Sequence, residues 1–187
     1  MERIKMTTRA VALALATATG LAAVPAHAGP TDPSAFDPKQ YGPQKVLYDW
    51  NYATPEEGLR ALGFIRNHIK TMKEFGDFEN SHIVMVAHGN DLHAFSRLNS
   101  EAYPDAYKLF KELTDEGVEI HVCRNAARSR GYQPEDFYDI MTVVPAAVID
   151  IAGYQQEGYS YMIPSLFPRM TREDIIAKHP EVTMDED

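Results

Sequence analysis

Three short apolar runs, "KVLYDWN" from Lys45, "HIVMVAHG" from His82 and "VEIHVC" from Val118, are held apart by longer stretches whose apolar residues recur at helical spacing. A near-continuous apolar strand suits a parallel sheet covered on both faces, and parallel neighbours need a crossover of helical length between them. This alternation argues against an all-helical bundle and against an antiparallel sandwich.

The first crossover, "TPEEGLRALGFIRNHIKTMKEFG", carries its own boundaries. Thr54 is placed to cap it, Pro55 takes the first helical position, and Glu57 stands where a capping box would close. Leu62, Ile65, Ile69 and Met72 recur at steps of three and four and mark the stripe that faces a core, ending near Gly76. The second connection opens with "NDLHAFSRLNSEAY", read as a loop with a short helix. "PDAYKLFKELTDEG" follows, a helix with Ala106, Leu109, Phe110 and Leu113 on one face and Gly117 as its terminator.

Beyond the third run the chain is irregular and basic, then offers a helical turn in "PEDFYDI" and a short strand in "MTVV". A helix from Pro145 to Gly158 and a last strand in "YSYMIP" complete the pattern, the latter alternating Tyr159, Tyr161 and Ile163. The expected fold is α/β: a flavodoxin-like three-layer sandwich around a mostly parallel sheet of about five strands with right-handed crossovers.

The ends of the chain read differently. "MERIKMTTRAVALALATATGLAAVPAHA" has Arg3, Lys5 and Arg9 ahead of an uncharged run and closes on Ala26-His27-Ala28, the pattern of a secretory signal peptide cut after Ala28. Its Ala- and Thr-rich run falls short of the ~20 strongly apolar residues a membrane span needs. It has no twin arginine, and no cysteine at the cut for a lipid anchor. Residues 29–44 are rich in Pro, Gly and Asp and read as a flexible linker; 45–165 form the domain and 166–187 a C-terminal tail, with Thr171 capping "REDIIAK". The expected location is periplasmic or secreted, with no membrane span once the signal is removed.

The full chain has a net charge of −9. Removing residues 1–28 takes away three basic residues and one acidic one, so the mature domain is more acidic still, at −11. A domain of that charge is repelled by phosphate backbones, and nucleic acid is not an expected partner.

Cys123 is the only cysteine. In an oxidising compartment it is a buried small hydrophobe, a bridge to another chain, or a reactive thiol. It ends the third strand, where ligands gather in sheets of this kind. Arg124, Arg128 and Arg130 follow, and nearby cations favour a thiolate over a thiol. His88 closes the second strand and His93 lies in the loop after it, so both are candidates for the same rim. His121 shares a strand face with Cys123, which makes His88, His93 and His121 weak metal candidates; the tight spacings of a zinc site are missing. There is also no Gly-rich phosphate loop, nucleophile elbow, C-x-x-C or H-E-x-x-H, and "NYATPEEG" lacks the cradle a flavin phosphate needs. No cofactor is expected.

Taken in order, "KVLYDWN", "HIVMVAHGNDLHAF", "ELTDEGVEIHVCRNA" and "VVPAAVIDIAGYQQEGYSYMIP" resemble the DsrE/DsrF-like sulfur-relay family, in particular its small single-domain members, over about Lys45 to Pro164. The resemblance implies a subunit of homotrimers or homohexamers in which the cysteine after the third strand, here Cys123, carries sulfane sulfur as a persulfide. A single cysteine suits that chemistry, since persulfide transfer needs no resolving partner. Arg124, Arg128 and Asn125 would flank the thiol, His88 and His93 would contact the substrate, and the partners would be sulfur donor and acceptor proteins or small thiols. The alternative is a non-enzymatic oligomeric module of the same fold that binds a metal or small ligand, or a scaffold with an inert thiol.

Overall fold

The computed structural model describes Gly29 and residues 32–182; the proposed signal peptide, 1–28, lies outside the described residues. Two units separate at Asp37 and Pro38. In the first, the described residues are irregular, and the Gly29 backbone N–H donates to Asp32.

The second unit holds five parallel strands: β1 (Lys45–Trp50), β2 (His82–Ala87), β3 (Glu119–Cys123), β4 (Thr142–Val144) and β5 (Ser160–Met162), in the spatial order β4-β3-β2-β1-β5. Among the described residues six α-helices accompany them: α1 (Pro55–Phe75), α2 (Leu92–Phe95), α3 (Ala106–Asp115), α4 (Arg124–Ser129), α5 (Ala147–Gln156) and α6 (Arg172–Lys178). This is the α/β sheet expected from the alternating runs.

The order explains the layers. From β1 to β4 the chain steps along the sheet in one direction, and right-handed crossovers then put every connecting helix on one face. The return from β4 to β5 crosses back past β1, and the same handedness sends α5 over the opposite face. The core divides accordingly. A large cluster joins Val46, Tyr48 and Trp50 to the α1 stripe of Leu62, Ile65 and Ile69 and to Phe95, Phe110 and Ala127; a small one joins Leu47, Val84, Val86, Cys123 and Ala147. Strand alternation deals neighbouring residues of β1 to the two clusters in turn.

Local chemistry sets the element ends. The Thr54 hydroxyl accepts the Glu57 backbone N–H at 3.2 Å and Pro55 sits in the first turn of α1, although the Glu57 carboxylate does not accept the Thr54 N–H to complete the box. The expected α1 stripe is buried in full, whereas on α3 Leu109 is only partly covered beside buried Ala106, Phe110 and Leu113. Gly117 ends α3 with φ +87°, a left-handed conformation that glycine adopts without a Cβ penalty. No helix among the described residues is long and apolar enough to cross a membrane.

Candidate functional site

Adjacent strands whose following helices go to opposite faces leave a crevice at their carboxyl ends. That divergence falls between β3 and β4. The chain leaves β3 into α4, whose Ala127 joins the large cluster, and leaves β4 into α5, whose Ala147 joins the small one. Cys123 ends β3 there, paired across the sheet with Val144. Alternation turns Glu119, His121 and Cys123 to the α5 face, where Cys123 belongs to the small cluster with Val86 and Ala147. Cys123 is 5% exposed, and its Sγ also caps α4 by accepting the Ala126 N–H at 3.4 Å. The thiol therefore sits just beneath the rim rather than on it.

The flanking residues divide. Arg124, Asn125 and Arg128 are exposed, and their side chains make no hydrogen bond or ion pair among the described residues. Arg130 instead turns back, donating to the Ala126 carbonyl at 2.9 Å and to Asn90 Oδ1 at 3.0 Å, and so ties α4 to the β2–α2 loop.

The histidines are not gathered. His88 follows β2 on the α5 face, and its Nε2–H donates to Asp49 Oδ1 at 2.6 Å; the Tyr161 hydroxyl donates to the other oxygen of Asp49. His121 Nδ1–H donates to Asp150 Oδ2 on α5 at 2.7 Å. His93 is on α2, whose Leu92, Ala94 and Phe95 belong to the large cluster, and its Nδ1 accepts from the Tyr132 hydroxyl at 2.6 Å. It stands with the layer opposite to the one that Cys123 faces. Among the described residues no group of three His, Cys, Asp or Glu side chains is placed to hold a metal ion. The rings of His88, His93 and His121, the weak metal candidates, are each bound to their own carboxylate or phenol on a different element.

Below Cys123 the α5 face is polar. His82 meets the Tyr159 hydroxyl at 2.6 Å and Glu119 at 3.0 Å, and the Tyr154 hydroxyl donates to Glu119 at 3.2 Å. Burial alone would raise the Glu119 pKa, but the hydrogen bond and charge of His82, with help from Tyr154 and His121, outweigh it and leave it lowered. On Tyr161 the hydrogen bond to Asp49, reinforced by partial burial, pushes the phenol up to about 12, so it stays a donor. Asp49 and Asp150 escaped the reading of the sequence. The signal available was a lone carboxylate inside an apolar run, "VLYDW" and "AVIDIAG", where a charge needs a built-in partner.

On the opposite face Asp91 is fully buried beside Trp50 and the first turn of α1. Its Oδ1 accepts the Tyr52 N–H at 3.0 Å, while Oδ2 has no protein hydrogen-bond partner. Burial pushes its pKa up to about 7, against the pull of the Tyr52 and Gly89 N–H groups and of Arg130.

The sequence model of the DsrE/DsrF-like family matches residues 56–164. Among solved structures, a protein of unknown function from Methanobacterium thermoautotrophicum, MTH1491, is 26% identical with a TM-score of 0.53, over 65% of this chain and 99% of its own. A conserved protein of unknown function from Bacteroides thetaiotaomicron, BT1422, is 14% identical with a TM-score of 0.45, over 65% of this chain and 95% of its own. No curated protein matches the chain.

Proposed function

The chain belongs to the DsrE/DsrF-like family, and from that premise we propose that it is an exported sulfur carrier whose Cys123 takes up sulfane sulfur as a persulfide and yields it to an acceptor thiol. Sulfur relay is the general association of the family. The observation that carries the reading is the place of Cys123: the only thiol of the chain, in the crevice where β3 and β4 diverge, inside the matched region.

Three features support it. The side-chain hydrogen bonds among the described residues leave Arg124 and Arg128 unpaired and exposed at the mouth of the crevice, where they attract an anionic donor such as polysulfide; Asn125 adds a polar contact. The first turn of α5 begins at Ala147, in the cluster that holds Sγ, and the positive end of a helix favours the charge of a sulfur anion. The apolar surface of Val148, Ile149 and Ile163, at 75%, 60% and 62% exposure, suits association into trimers or hexamers.

Donor and acceptor are proteins or small thiols that reach the crevice after export and cleavage behind Ala28. N-terminal sequencing of protein recovered from outside the cytoplasm tests the export step; a first residue other than Gly29 overturns the cut. The carrier reading is tested by the native mass after incubation with polysulfide. A sulfur-sized gain confined to the wild type and absent from Cys123→Ser supports it, and equal loading of both removes its basis.

A second reading rests on the burial of Cys123: an oligomeric module of the same fold with an inert thiol. A wild-type chain that takes up no sulfur and resists thiol titration until unfolded favours that module.

A further inference from the structure

β2 and β3 run parallel in register, Val86 beside His121 and Ala87 beside Val122. One residue further on, His88 stands beside Cys123. His88 lies just past the last β2–β3 pair, and its N–H donates to the Trp50 carbonyl of β1 at 2.9 Å, which holds it against the sheet on the side away from β3. Alternation from Val84 and Val86 puts His88 on the α5 face, the face of Cys123, and neighbouring strands are only about 4.8 Å apart.

The ring is oriented from behind. Its Nε2 lies 2.6 Å from Asp49 Oδ1, so in the neutral imidazole that nitrogen carries the hydrogen and Nδ1 is left bare. Nδ1 has no hydrogen-bond partner among the described residues. Asp49 is fixed in turn, because its second oxygen accepts from the Tyr161 hydroxyl on β5. The Asp49 and His88 side chains are 14% and 25% exposed, so the pair is partly shielded yet open at one edge. Four neighbouring strands, β5, β1, β2 and β3, thus bring a phenol, a carboxylate, an imidazole and a thiol to one end of the α5 face.

We propose that His88, oriented by Asp49 and Tyr161, is the base that removes and returns the proton of Cys123 during sulfur transfer. The role rests on the sulfur-carrier reading, and it assigns Asp49 and Tyr161 as positioning residues. In the step, the Sγ–H proton passes to His88 Nδ1. The thiolate attacks the outer sulfur of a donor persulfide, R–S–SH; an Sγ–S bond forms and the S–S bond of the donor breaks. The bonding pair leaves with R–S⁻, which takes the proton from the imidazolium, giving Cys–S–SH and R–SH with no net oxidation. Asp49 supplies the negative charge that steadies the imidazolium.

The ionisable groups facing this ring are Asp49 on β1, Cys123 on β3 and Tyr161 on β5; Asp150, the carboxylate of α5, is held by His121 instead. The pH profile of the thiol therefore reads the pair. Rates of iodoacetamide alkylation and of polysulfide loading are measured from about pH 6 to about pH 9.5, across the ordinary thiol range near 8.5. His88→Gln is expected to lose about 10- to 100-fold at neutral pH in both and to regain the wild-type rate at the alkaline end, where the thiol ionises without help. Asp49→Asn and Tyr161→Phe, which keep shape, give smaller losses of the same form and carry the test if His88→Gln fails to fold. Flat equality of all three variants with the wild type overturns the proposal and leaves the carrier reading intact. Alkylation that depends on His88, with no sulfur retained by the wild type, upholds the base and removes the carrier.

Discussion

Asp91 accepts the backbone N–H of Tyr52 at 3.0 Å and so joins the loop after β2 to the loop after β1, from a position with no access to solvent. Burial holds the folded-state pKa near 7, above the ordinary carboxylate value, so the folded chain binds this proton more tightly than the unfolded chain does. The contribution is fully present below about pH 4 and is lost as pH rises through about 7, at a cost of roughly 4 kcal/mol once the group is ionised. His68, whose pKa burial lowers, acts in the opposite sense as pH falls. The difference between wild type and Asp91→Asn in urea midpoints, taken from about pH 5 to about pH 8, isolates Asp91. The wild type should weaken with rising pH relative to the variant; parallel curves would contradict the buried carboxyl.

Two glycines of α1 should answer alanine in opposite ways. A Cβ at Gly58 would lie 2.5 Å from the Asp91 Cβ, whereas one at Gly63 meets nothing within 4 Å. Gly63→Ala should stabilise by up to about 1 kcal/mol through helix propensity. Gly58→Ala should lose about 1–3 kcal/mol because α1 must move off the β2–α2 loop. Denaturant unfolding of the two variants checks the sign of each.

Asp150→Ala leaves the Nδ1–H of His121, 8% exposed, without its acceptor, with only Glu119 remaining at 3.6 Å from Nε2, and frees the middle of α5. A loss of about 1–3 kcal/mol is expected for the Nδ1–H left unsatisfied. Because Ala147 of the same helix packs with Cys123, thiol alkylation should also quicken, and amide exchange in α5 should rise with it. An unchanged alkylation rate would mean that α5 does not guard the thiol.

Cys123→Ser should fold. Its hydroxyl can accept the Ala126 N–H that Sγ now accepts, and serine is a favoured N-cap, while placing a hydroxyl against Val86 and Ala147 works the other way. The two effects should offset to within about 1 kcal/mol, which thermal unfolding measures. A variant that fails to fold would show that the thiol is held by packing more than by its capping bond.

Much of the fold was legible in the chain. The α1 stripe, the Thr54 cap and the strand at "VEIHVC" are local patterns, fixed by side-chain period and by which groups cap a helix. The candidate thiol was legible too, because a single cysteine at a strand end needs no partner to be noticed. Harder to read was the α5 face. The sequence offered His88 and His93 as one rim set, but His93 rides on α2 in the layer opposite to that of Cys123.

What the sequence by itself determined is the alternation of strand and helix, the handed crossovers that follow from it, and the place of Cys123 at the end of β3. Only the tertiary structure decided who meets whom: Asp49 with His88 and Tyr161, Asp150 with His121, and Asp91 with Tyr52. Periodicity says which face a residue takes, but strand order says which strands are neighbours. The order β4-β3-β2-β1-β5 brings the last strand of the chain beside the first, so Tyr161 reaches Asp49 across 112 positions of sequence that no local pattern spans.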